Sequence, residues 1–293
     1  MNIKIRAFIE LMRPANVITS LTDVLAGMSI VGFLFNFKDL NSVFFLGLST
    51  MCLYGGGVVF NDIFDHDLDK KERPERALPS GRILKSEAIL GGIILLLVGI
   101  FCAFWSSYLS GFIAIIISIC ALFYDWKGKH MFVFGPINMG LCRAFNLLLG
   151  MSVYEKGALT YGYLILIPLI YIAAITLVSR GEVHGGTPKT LLFALILFML
   201  VHLCQIYFAY KFGHVYLAIP FILTHFYLIF DKIIVAIKNP IGPNIGKTVK
   251  IGVLTLILMN AAWVSLSGQW ELAIFVVLLL SVSIQLGKKF AVT

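Results

Sequence analysis

Charged side chains are scarce in this sequence. Asp, Glu, Lys and Arg make up only 13% of its 293 residues, whereas an ordinary soluble domain carries roughly 25%. Hydrophobic residues make up 59%, so the composition excludes an ordinary soluble domain and favours an integral membrane protein. The net charge of +8 also fits nucleic-acid binding, but basic residues on membrane loops explain it better. We therefore expect a lipid bilayer around the chain and no nucleic-acid partner.

The sequence also lacks closely spaced cysteines. All five cysteines fall inside apolar segments, at Cys52, Cys102, Cys120, Cys142 and Cys204. Without a close pair they match neither a zinc motif nor a redox motif. We interpret them as small core residues.

Long apolar runs dominate what is present. A membrane-spanning helix needs about 20 mostly apolar residues, and ten candidate segments approach that length. They predict an all-α, polytopic transmembrane helix bundle that forms a single integral membrane domain over residues 1–293. The segments cover about 15–36, 42–60, 86–106, 109–124, 132–153, 160–180, 190–211, 214–237, 249–267 and 270–287.

The basic residues predict the orientation of this bundle. With the N-terminus in the cytoplasm, only three of the 23 Lys and Arg residues fall on outer loops: Lys38, Lys156 and Lys211. Arg143 lies inside a segment, and all the others fall on the inner side, as the positive-inside rule requires. A nine-span arrangement would place Lys288 and Lys289 outside, so we prefer ten spans to nine. We expect the cell's inner or plasma membrane, with the polar loops cytoplasmic.

One acidic cluster stands at the cytoplasmic end of the second segment. Asp62, Asp65 and Asp69 are spaced i, i+3 and i+7, which places them on one face of a helix. Asp67 points elsewhere, and Asn61 adds a neutral oxygen. A solvated acidic helix end is the alternative, but carboxylates are unfavourable near a helix C-terminus. Since Mg²⁺ prefers carboxylate, phosphate and water oxygens, we predict a divalent-metal site that holds a diphosphate.

A basic loop follows the acidic cluster, within residues 61–85. Arg73 and Arg76 carry the planar guanidinium fork that suits phosphate oxygens. Their position beside the carboxylates predicts an anion held between the two charged groups. Topology alone explains the remaining cations of this loop, Lys70, Lys71 and Lys85.

A second polar loop, residues 179–190, closes the sixth segment on the same side of the membrane. It offers one carboxylate, Glu182, and one imidazole, His184, in a glycine-rich stretch with Arg180 and Lys189. Glu182 or His184 can complete a metal site or act as a base. The alternative is an exposed loop without a chemical role.

Polar residues also occur inside the apolar segments. Asn16 and Asp23 lie in the first segment, and Arg143 and Asn146 lie in the fifth. Because an ionisable group at bilayer depth normally faces a cavity or a partner, Asn16 and Arg143 are candidates to reach the diphosphate. A structural ion pair between Asp23 and Arg143 is the alternative.

Lys127 and Lys129 end the fourth segment at the same surface, and either topology or ligand contact explains them equally well. His202, His225 and Asn260 are isolated in apolar segments. We interpret these three as core polar groups.

Three strings carry a resemblance to a known family: Asn61-Asp62-x-x-Asp65-x-x-x-Asp69, then Arg73-Pro74 with Leu78-Pro79-Ser80-Gly81-Arg82, and Arg13-Pro14-x-Asn16. They resemble the UbiA superfamily of intramembrane prenyltransferases over roughly residues 10–210. The resemblance implies a helical bundle around a central cavity open to lipid, with two Mg²⁺ ions that bridge an isoprenyl diphosphate. It implies transfer of the prenyl group to a lipophilic acceptor, or its cyclisation.

Site roles follow from this resemblance together with the charge pattern. The metal and catalytic candidates are Asp62, Asp65, Asp69 and Glu182, with His184 as a further catalytic candidate. The diphosphate ligands that we predict are Asn16, Asn61, Arg73, Arg76, Lys127, Arg143, Arg180 and Lys189. We expect cavity walls rich in Phe, of which the chain has 24.

The second loop departs from the family pattern. The family usually carries a second aspartate-rich stretch there, and this chain offers only Glu182 and His184. The Ser179–Gly186 string is similar to the EboC-like branch. The degenerate loop leaves a non-catalytic isoprenyl-diphosphate binder or transporter as an alternative to the enzyme. A CDP-alcohol phosphotransferase is excluded, since its longer aspartate signature is absent.

Overall fold

The structure, a computed structural model, describes residues 3–35 and 39–290, so Lys38 and both ends of the predicted domain lie outside the described residues. The described part is helical throughout, as the apolar runs predict. Its α-helices are α1 (Ile3–Leu11), α2 (Pro14–Ile30), α3 (Leu40–Phe64), α4 (His66–Glu72), α5 (Lys85–Ser106), α6 (Tyr108–Trp126), α7 (Phe134–Met151), α8 (Glu155–Tyr161), α9 (Leu166–Ser179), α10 (Pro188–Lys211), α11 (Val215–Lys238), α12 (Gly242–Leu254), α13 (Leu256–Leu266) and α14 (Trp270–Lys289).

Eight helices among the described residues are long and apolar enough to cross a membrane. Six are single helices, and two are composite: α8 continues into α9, and α12 into α13. The chain is therefore a multi-pass, all-α membrane protein. The two other predicted segments correspond to α2, which has 17 residues, and α7, which carries Arg143 and Asn146 in its interior. Ten helical segments lie where the apolar runs predict them, but only eight meet both criteria.

Local sequence sets where several helices begin. The side chain of Asp39 accepts hydrogen bonds from the backbone amides of the first turn of α3. Ser107 and Thr187 cap α6 and α10 in the same way. These side chains satisfy amides that have no partner within the helix.

The acidic cluster lies on helix rather than in the loop that the 61–85 boundary implied. α3 runs four residues beyond the predicted end of its segment, through Asn61 and Asp62 to Phe64. Asp65 interrupts it, and α4 resumes at His66 and carries Asp69. The predicted helical spacing of the aspartates is therefore kept, with one break at Asp65.

Burial divides the bundle into inner and outer helices. The Gly242–Leu266 span is 83% buried over its most apolar window, whereas Trp270–Lys289 is only 17% buried. α2 is also interior, and it crosses α7 closely because Gly27 and Gly150 face the partner backbone. A Cβ at either position would lie 2.2 Å from a carbonyl oxygen. The polar and short helices are thus central, and the strongly apolar ones lie at the outside of the bundle.

Helix α1 lies beside the C-terminal end of α3 and the N-terminal end of α5. Ala7 and Leu11 pack with Val59, Ile63 and Leu78 in a small separate core. This contact sets α1 against the loop that follows α4. The loop that carries Arg73 and Arg76 is therefore anchored on both sides.

Candidate active site

A central cavity of about 450 Å³ opens between the inner helices. Its mouth is polar and is formed by the start of α2, the end of α3, α4, the end of α6 and the loop after α9. Below the mouth, the lining is mainly aliphatic. We call the polar mouth the rim.

Asp62 is buried behind the rim between two arginines. The Nη2 atom of Arg13 donates to Oδ1 of Asp62 at 2.7 Å, and Nη1 of Arg76 lies 3.5 Å from the same oxygen. Arg13 itself lines the cavity. Two guanidinium groups therefore neutralise this carboxylate and present their other donors to the cavity.

Asp65 and Asp69 both line the cavity, and each has its own cation. Nη1 of Arg76 donates to Oδ2 of Asp69 at 2.9 Å, and Nζ of Lys129 donates to Oδ1 of Asp65. Two of the three predicted carboxylates therefore line the cavity, whereas Asp62 lies behind them. Basic side chains balance the charge of all three.

Lys129, rather than the predicted Lys127, reaches the rim. The side chain of Lys127 is exposed, and its Nζ lies 4.4 Å from the centre of the Trp126 ring. A short 3-10 turn, Gly128–His130, follows α6 and directs the two lysines apart. The prediction that Lys127 binds the diphosphate therefore has no geometric support.

Asn61 and Asp125 join α3 to α6 at the rim. Nδ2 of Asn61 donates to Oδ1 of Asp125 at 2.8 Å, and both residues line the cavity. Asp125 is buried, and no salt bridge to it occurs among the described residues. The sequence reasoning placed Asp125 at this surface but did not assign it a role.

The second polar loop contributes one of its predicted residues to the cavity. Glu182 lines the rim, and burial raises its pKa above the ordinary value, while nearby Arg73 and Arg13 lower it. The loop folds back tightly: Gly185 has φ 83°, and the amide of Gly186 donates to the carbonyl of Pro240 at 3.0 Å. Glu182 thus faces Arg73 across the mouth.

The other predicted residues of that loop point away. His184 and Lys189 are exposed and do not line the cavity. Arg180 is also exposed: its Nη2 donates to the carbonyl of Met131, and its guanidinium carbon lies 4.9 Å from the Phe132 ring centre. The arrangement corrects the expectation that these three residues surround a diphosphate, because their helix and turn direct them to other surfaces.

A second polar region lies deeper in the cavity. Nη1 of Arg143 donates to Asp23 at 2.6 Å, and Nη2 donates to Thr19 at 2.7 Å. The structural ion pair, which was the alternative from sequence, is therefore present. Arg143 lines the same cavity, but it pairs with Asp23 and does not lie at the rim. Asn16 does lie near the rim, close to Arg13 at the start of α2.

Sequence reasoning assigned no site role to Arg13 or Asp125, and it left Lys129 open between topology and ligand contact. Arg13 had a usable signal, since it precedes Pro14 three residues before Asn16. Its role was not assigned because proximity to Asp62 depends on how α2 packs against α3. The predicted site residues that do line the cavity are Asn16, Asn61, Asp65, Asp69, Arg73, Arg76, Arg143 and Glu182.

The donor set at the rim fits Mg²⁺. As the side chains are placed, no three acidic, imidazole or thiol groups of the described residues converge on one point. Asp65, Asp69 and Glu182 nevertheless all line the same cavity. Mg²⁺ takes one or two carboxylates and completes its shell with phosphate and water, so these oxygens suffice.

The cavity wall below the rim is aliphatic, contrary to the expectation of walls rich in Phe. Its aromatic members among the described residues are Tyr54 and Tyr124, and outside the deeper polar region the wall consists mainly of residues such as Leu53, Ile117 and Ile172. The phenylalanines of the described residues lie elsewhere, many of them on exposed outer faces. In a membrane protein those faces contact lipid, which explains why a count of Phe did not predict the wall.

The fold and the site together define a class: a multi-pass membrane protein with oxygen ligands and arginines at the mouth of a hydrophobic cavity. Family comparison agrees with this description. The chain belongs to the UbiA prenyltransferase family, which matches residues 24–292. The prediction of this family is confirmed.

The chain is similar to the digeranylgeranylglyceryl phosphate synthase of Methanothermobacter thermautotrophicus, with 32% identity over 162 residues. That match covers 50% of this chain and 56% of the synthase, so the chain spans little more than half the length of this curated relative. Further digeranylgeranylglyceryl phosphate synthases match as well. These relatives do not support the predicted EboC-like branch.

Two solved structures show the same fold. A UbiA homologue from Aeropyrum pernix K1 in its apo form has a TM-score of 0.71 at 14% identity, covering 84% of this chain and 96% of that one. A UbiA homologue from Archaeoglobus fulgidus, bound to DMAPP and Mg²⁺, has a TM-score of 0.61 at 16% identity, covering 88% and 99%. The predicted all-helical architecture is confirmed.

Proposed function

We propose that this chain transfers an isoprenyl group from an isoprenyl diphosphate to a lipophilic acceptor, with Mg²⁺ as cofactor. One observation carries the proposal. Carboxylates and guanidinium groups meet at the mouth of a mostly aliphatic cavity within a membrane bundle. A charged head at the rim and a hydrocarbon tail in the cavity match this division. The Archaeoglobus homologue, which is bound to DMAPP and Mg²⁺, supports this donor class and this cofactor.

The paired charges at the rim suggest how the head group is held. Each carboxylate is now satisfied by a cation: Asp62 by Arg13, Asp69 by Arg76, and Asp65 by Lys129. If Asp62, Asp65 and Asp69 held Mg²⁺, then Arg13, Arg76 and Lys129 would be available to phosphate oxygens. Bound Mg²⁺ supplies positive charge that stabilises the departing diphosphate. Arg73, opposite Glu182, adds a further guanidinium.

The reaction follows from this division of the cavity. The allylic C–O bond breaks, and its electron pair leaves with the diphosphate, which Arg13, Arg73 and Arg76 hold at the rim. The allylic cation lies against aliphatic side chains that exclude water. A nucleophilic atom of the acceptor then forms the new bond to carbon, and its proton is lost.

We propose a cytoplasmic rim and ten spans. The eight membrane-length helices together with α2 and α7 give an even number of crossings, so both described ends lie on one side. The positive-inside distribution makes that side the cytoplasm, and the surrounding membrane the plasma or inner membrane. A water-soluble diphosphate head group would then enter from the cytoplasm, while the tail enters through lipid.

The relatives suggest the substrate class. Their name describes a product with two geranylgeranyl groups on glyceryl phosphate. We propose for this chain a long-chain isoprenyl diphosphate as donor and an isoprenoid glyceryl lipid as acceptor. A long tail suits the cavity, whose lining runs from the rim to Leu256 on α13.

A matched pair of aspartate variants tests the enzyme. Purified protein in lipid nanodiscs receives Mg²⁺, radiolabelled isoprenyl diphosphates of five to twenty carbons, and a glyceryl lipid acceptor. We expect diphosphate release in the wild type and a loss of at least 100-fold in Asp65→Asn. Asp67→Asn is the control, because its carboxylate is 90% exposed and lies off the rim. Equal rates in both variants, or no release with any donor, would refute the proposal.

Two alternative functions would give different results in this assay. A non-catalytic binder or transporter, suggested by the single carboxylate in the second loop, would bind the donor with Mg²⁺ and release no diphosphate. A cyclase would release diphosphate without an acceptor and yield a cyclic hydrocarbon. The aliphatic wall disfavours cyclisation, since aromatic faces are what usually stabilise an internal cation. Product analysis by mass spectrometry separates these outcomes from transfer.

A further inference from the structure

The deep polar region forms a defined patch on the cavity wall. Thr50 and Tyr54 on α3 and Arg143 and Asn146 on α7 all line the cavity. Tyr54 precedes Asp62 by eight residues on α3, so the patch lies about 12 Å below the rim at 1.5 Å per residue. We call these four residues the deep patch. Leu53, next to Tyr54, marks the aliphatic surface around it.

The deep patch is held in place by hydrogen bonds that join four helices, α2, α3, α7 and α13. Both oxygens of Asp23 are occupied: Oδ2 by Arg143 and Asn146, and Oδ1 by Asn260 at 2.7 Å. The hydroxyl of Thr50 donates to Oδ1 of Asn146 at 2.7 Å. The guanidinium is therefore fixed in position against α2, and only one face of the network is open to the cavity.

Its charge balance restricts the ligand. Asp23 neutralises Arg143 at 2.6 Å, so the patch presents hydrogen-bond donors without net charge. A phosphate at this depth would add an anion beside the buried Asp23 carboxylate, which is costly. An isoprenyl tail has no group to accept a hydrogen bond. An uncharged hydroxyl group fits both limits.

Donor capacity remains for such a ligand. A guanidinium carries five N–H groups, and Arg143 gives one each to Asp23, Thr19 and the Tyr54 hydroxyl, which leaves two. The guanidinium carbon also lies 4.9 Å from the ring centre of Tyr54. Further N–H groups of Arg143 and the lone pairs of the Thr50 hydroxyl are therefore available at the cavity wall.

We propose that the deep patch binds an uncharged, hydroxyl-bearing group of the acceptor lipid. The proposal rests on the function proposed above, because it assigns the acceptor end of the same cavity. The donor's diphosphate stays at the rim, and the acceptor's hydroxyl group is oriented by Arg143 from below. Arg143 is thus a specificity residue for the acceptor rather than a ligand of the diphosphate.

Direct binding measurements test this assignment apart from turnover. The probes are geranylgeranylglycerol, its di-O-methyl ether and its phosphate, each titrated into nanodisc-embedded protein. An unreactive donor analogue, geranylgeranyl thiolodiphosphate with Mg²⁺, reports on the rim. In the wild type we expect geranylgeranylglycerol to bind about 10-fold more tightly than its methyl ether, because methylation removes the O–H that donates to Thr50 and crowds the oxygen that accepts from Arg143.

Two variants separate the patch from a merely structural ion pair. Asp23→Asn combined with Arg143→Gln removes both charges and leaves amides to hydrogen bond, which avoids stranding one buried charge. Thr50→Val keeps the side-chain shape without its hydroxyl. We expect both to reduce the 10-fold preference to about twofold or less and to leave the affinity for the thiolodiphosphate within twofold. Thermal unfolding confirms that each variant is folded.

Three results would overturn the proposal. The first is that the preference for free hydroxyl groups persists in both folded variants. The second is that the affinity for the thiolodiphosphate falls as far as the affinity for geranylgeranylglycerol. The third is that geranylgeranylglycerol phosphate binds more tightly than geranylgeranylglycerol, and that this difference depends on Arg143. Failure of the proposed function is distinct, since it appears as absent diphosphate release or absent thiolodiphosphate binding in the wild type.

Discussion

Arg13 reaches across from the start of α2 to Asp62 near the end of α3, with 2.7 Å between Nη2 and Oδ1. Its backbone has φ 48° and ψ 66°, the left-handed conformation that non-glycine residues adopt rarely, and Pro14 follows it directly. Such strain costs about 1–3 kcal/mol and persists where the surroundings hold it in place. The conformation ends α1, starts α2 and directs the guanidinium into the rim.

Removal of this guanidinium tests its place in the site. Arg13→Ala takes one cation from the rim, and we expect the affinity for the thiolodiphosphate with Mg²⁺ to fall about 10-fold or more, since hydrogen bonds to charged groups contribute roughly 1.5–3 kcal/mol. The measurement is a binding titration in nanodiscs. Arg6→Ala is the control, because Arg6 is exposed on α1. Equal affinities in the two variants would exclude Arg13 from the diphosphate site.

Residues close in sequence were the part of the site that could be predicted. Asp65 and Asp69 lie one helical turn apart, and Arg76 follows in the loop directly after α4, so their spacing placed them together. The choice between Lys127 and Lys129 was not predictable in this way. Both follow the end of α6, and the short turn at Gly128–His130 decides which one meets Asp65.

The sequence likewise predicted only part of the fold. Apolar runs located ten helical segments, because hydropathy reports how well a segment tolerates lipid or a core. They did not show that α2 and α7 are interior and that α14 is peripheral. That difference depends on Gly27 and Gly150, whose missing side chains let α2 and α7 approach.

The α2–α7 crossing yields a stability prediction. In Gly27→Ala the new methyl group would lie 2.2 Å from the carbonyl oxygen of Leu147, and in Gly150→Ala it would lie 2.2 Å from that of Val24. Backbone cannot move aside as a side chain can, so we expect each variant to lose about 1–3 kcal/mol of unfolding free energy. Thermal or chemical unfolding in detergent measures this loss.

A matched glycine controls for helix propensity. At Gly162 the nearest heavy atom to a new Cβ is 4.0 Å away, so Gly162→Ala is expected to leave stability within 0.5 kcal/mol or so. If all three alanine variants unfold alike, the close crossing is not a determinant of the fold. The same Gly27→Ala protein would also shift Asp23, and its preference for free hydroxyl groups should weaken with its stability.

The rim loop depends on a second pair, Glu10 on α1 and Arg82. Two hydrogen bonds of 2.6 and 2.8 Å join them, and Arg82 also donates to the carbonyl of Glu75. We expect Arg82→Ala to increase hydrogen exchange across residues 73–84 and to weaken thiolodiphosphate binding several-fold, because Arg73 and Arg76 lose their fixed positions. The charge-reversed double variant, Glu10→Arg with Arg82→Glu, should recover part of both. Unchanged exchange in Arg82→Ala would show that the loop is held by its apolar contacts alone.

The last prediction concerns pH and Glu182. Burial raises the pKa of this carboxyl above 4.5, its ordinary value, and Arg73 and Arg13 oppose the rise. A protonated carboxyl has no charge with which to hold Mg²⁺. As the pH falls through the raised pKa, the wild type should therefore lose affinity for the Mg²⁺–thiolodiphosphate complex at a higher pH than an exposed glutamate would cause.

Glu182→Gln isolates this contribution. The variant should bind the complex more weakly at neutral pH and show a shallower decline as the pH is lowered, because its amide does not titrate. Protonation of the phosphate groups affects both proteins equally and cancels in the comparison. Glu75→Gln, at an exposed position in the first loop, should keep the wild-type profile. Parallel wild-type and Glu182→Gln profiles would place the metal site wholly on the α3–α4 aspartates, with Glu182 acting only as a partner for Arg73.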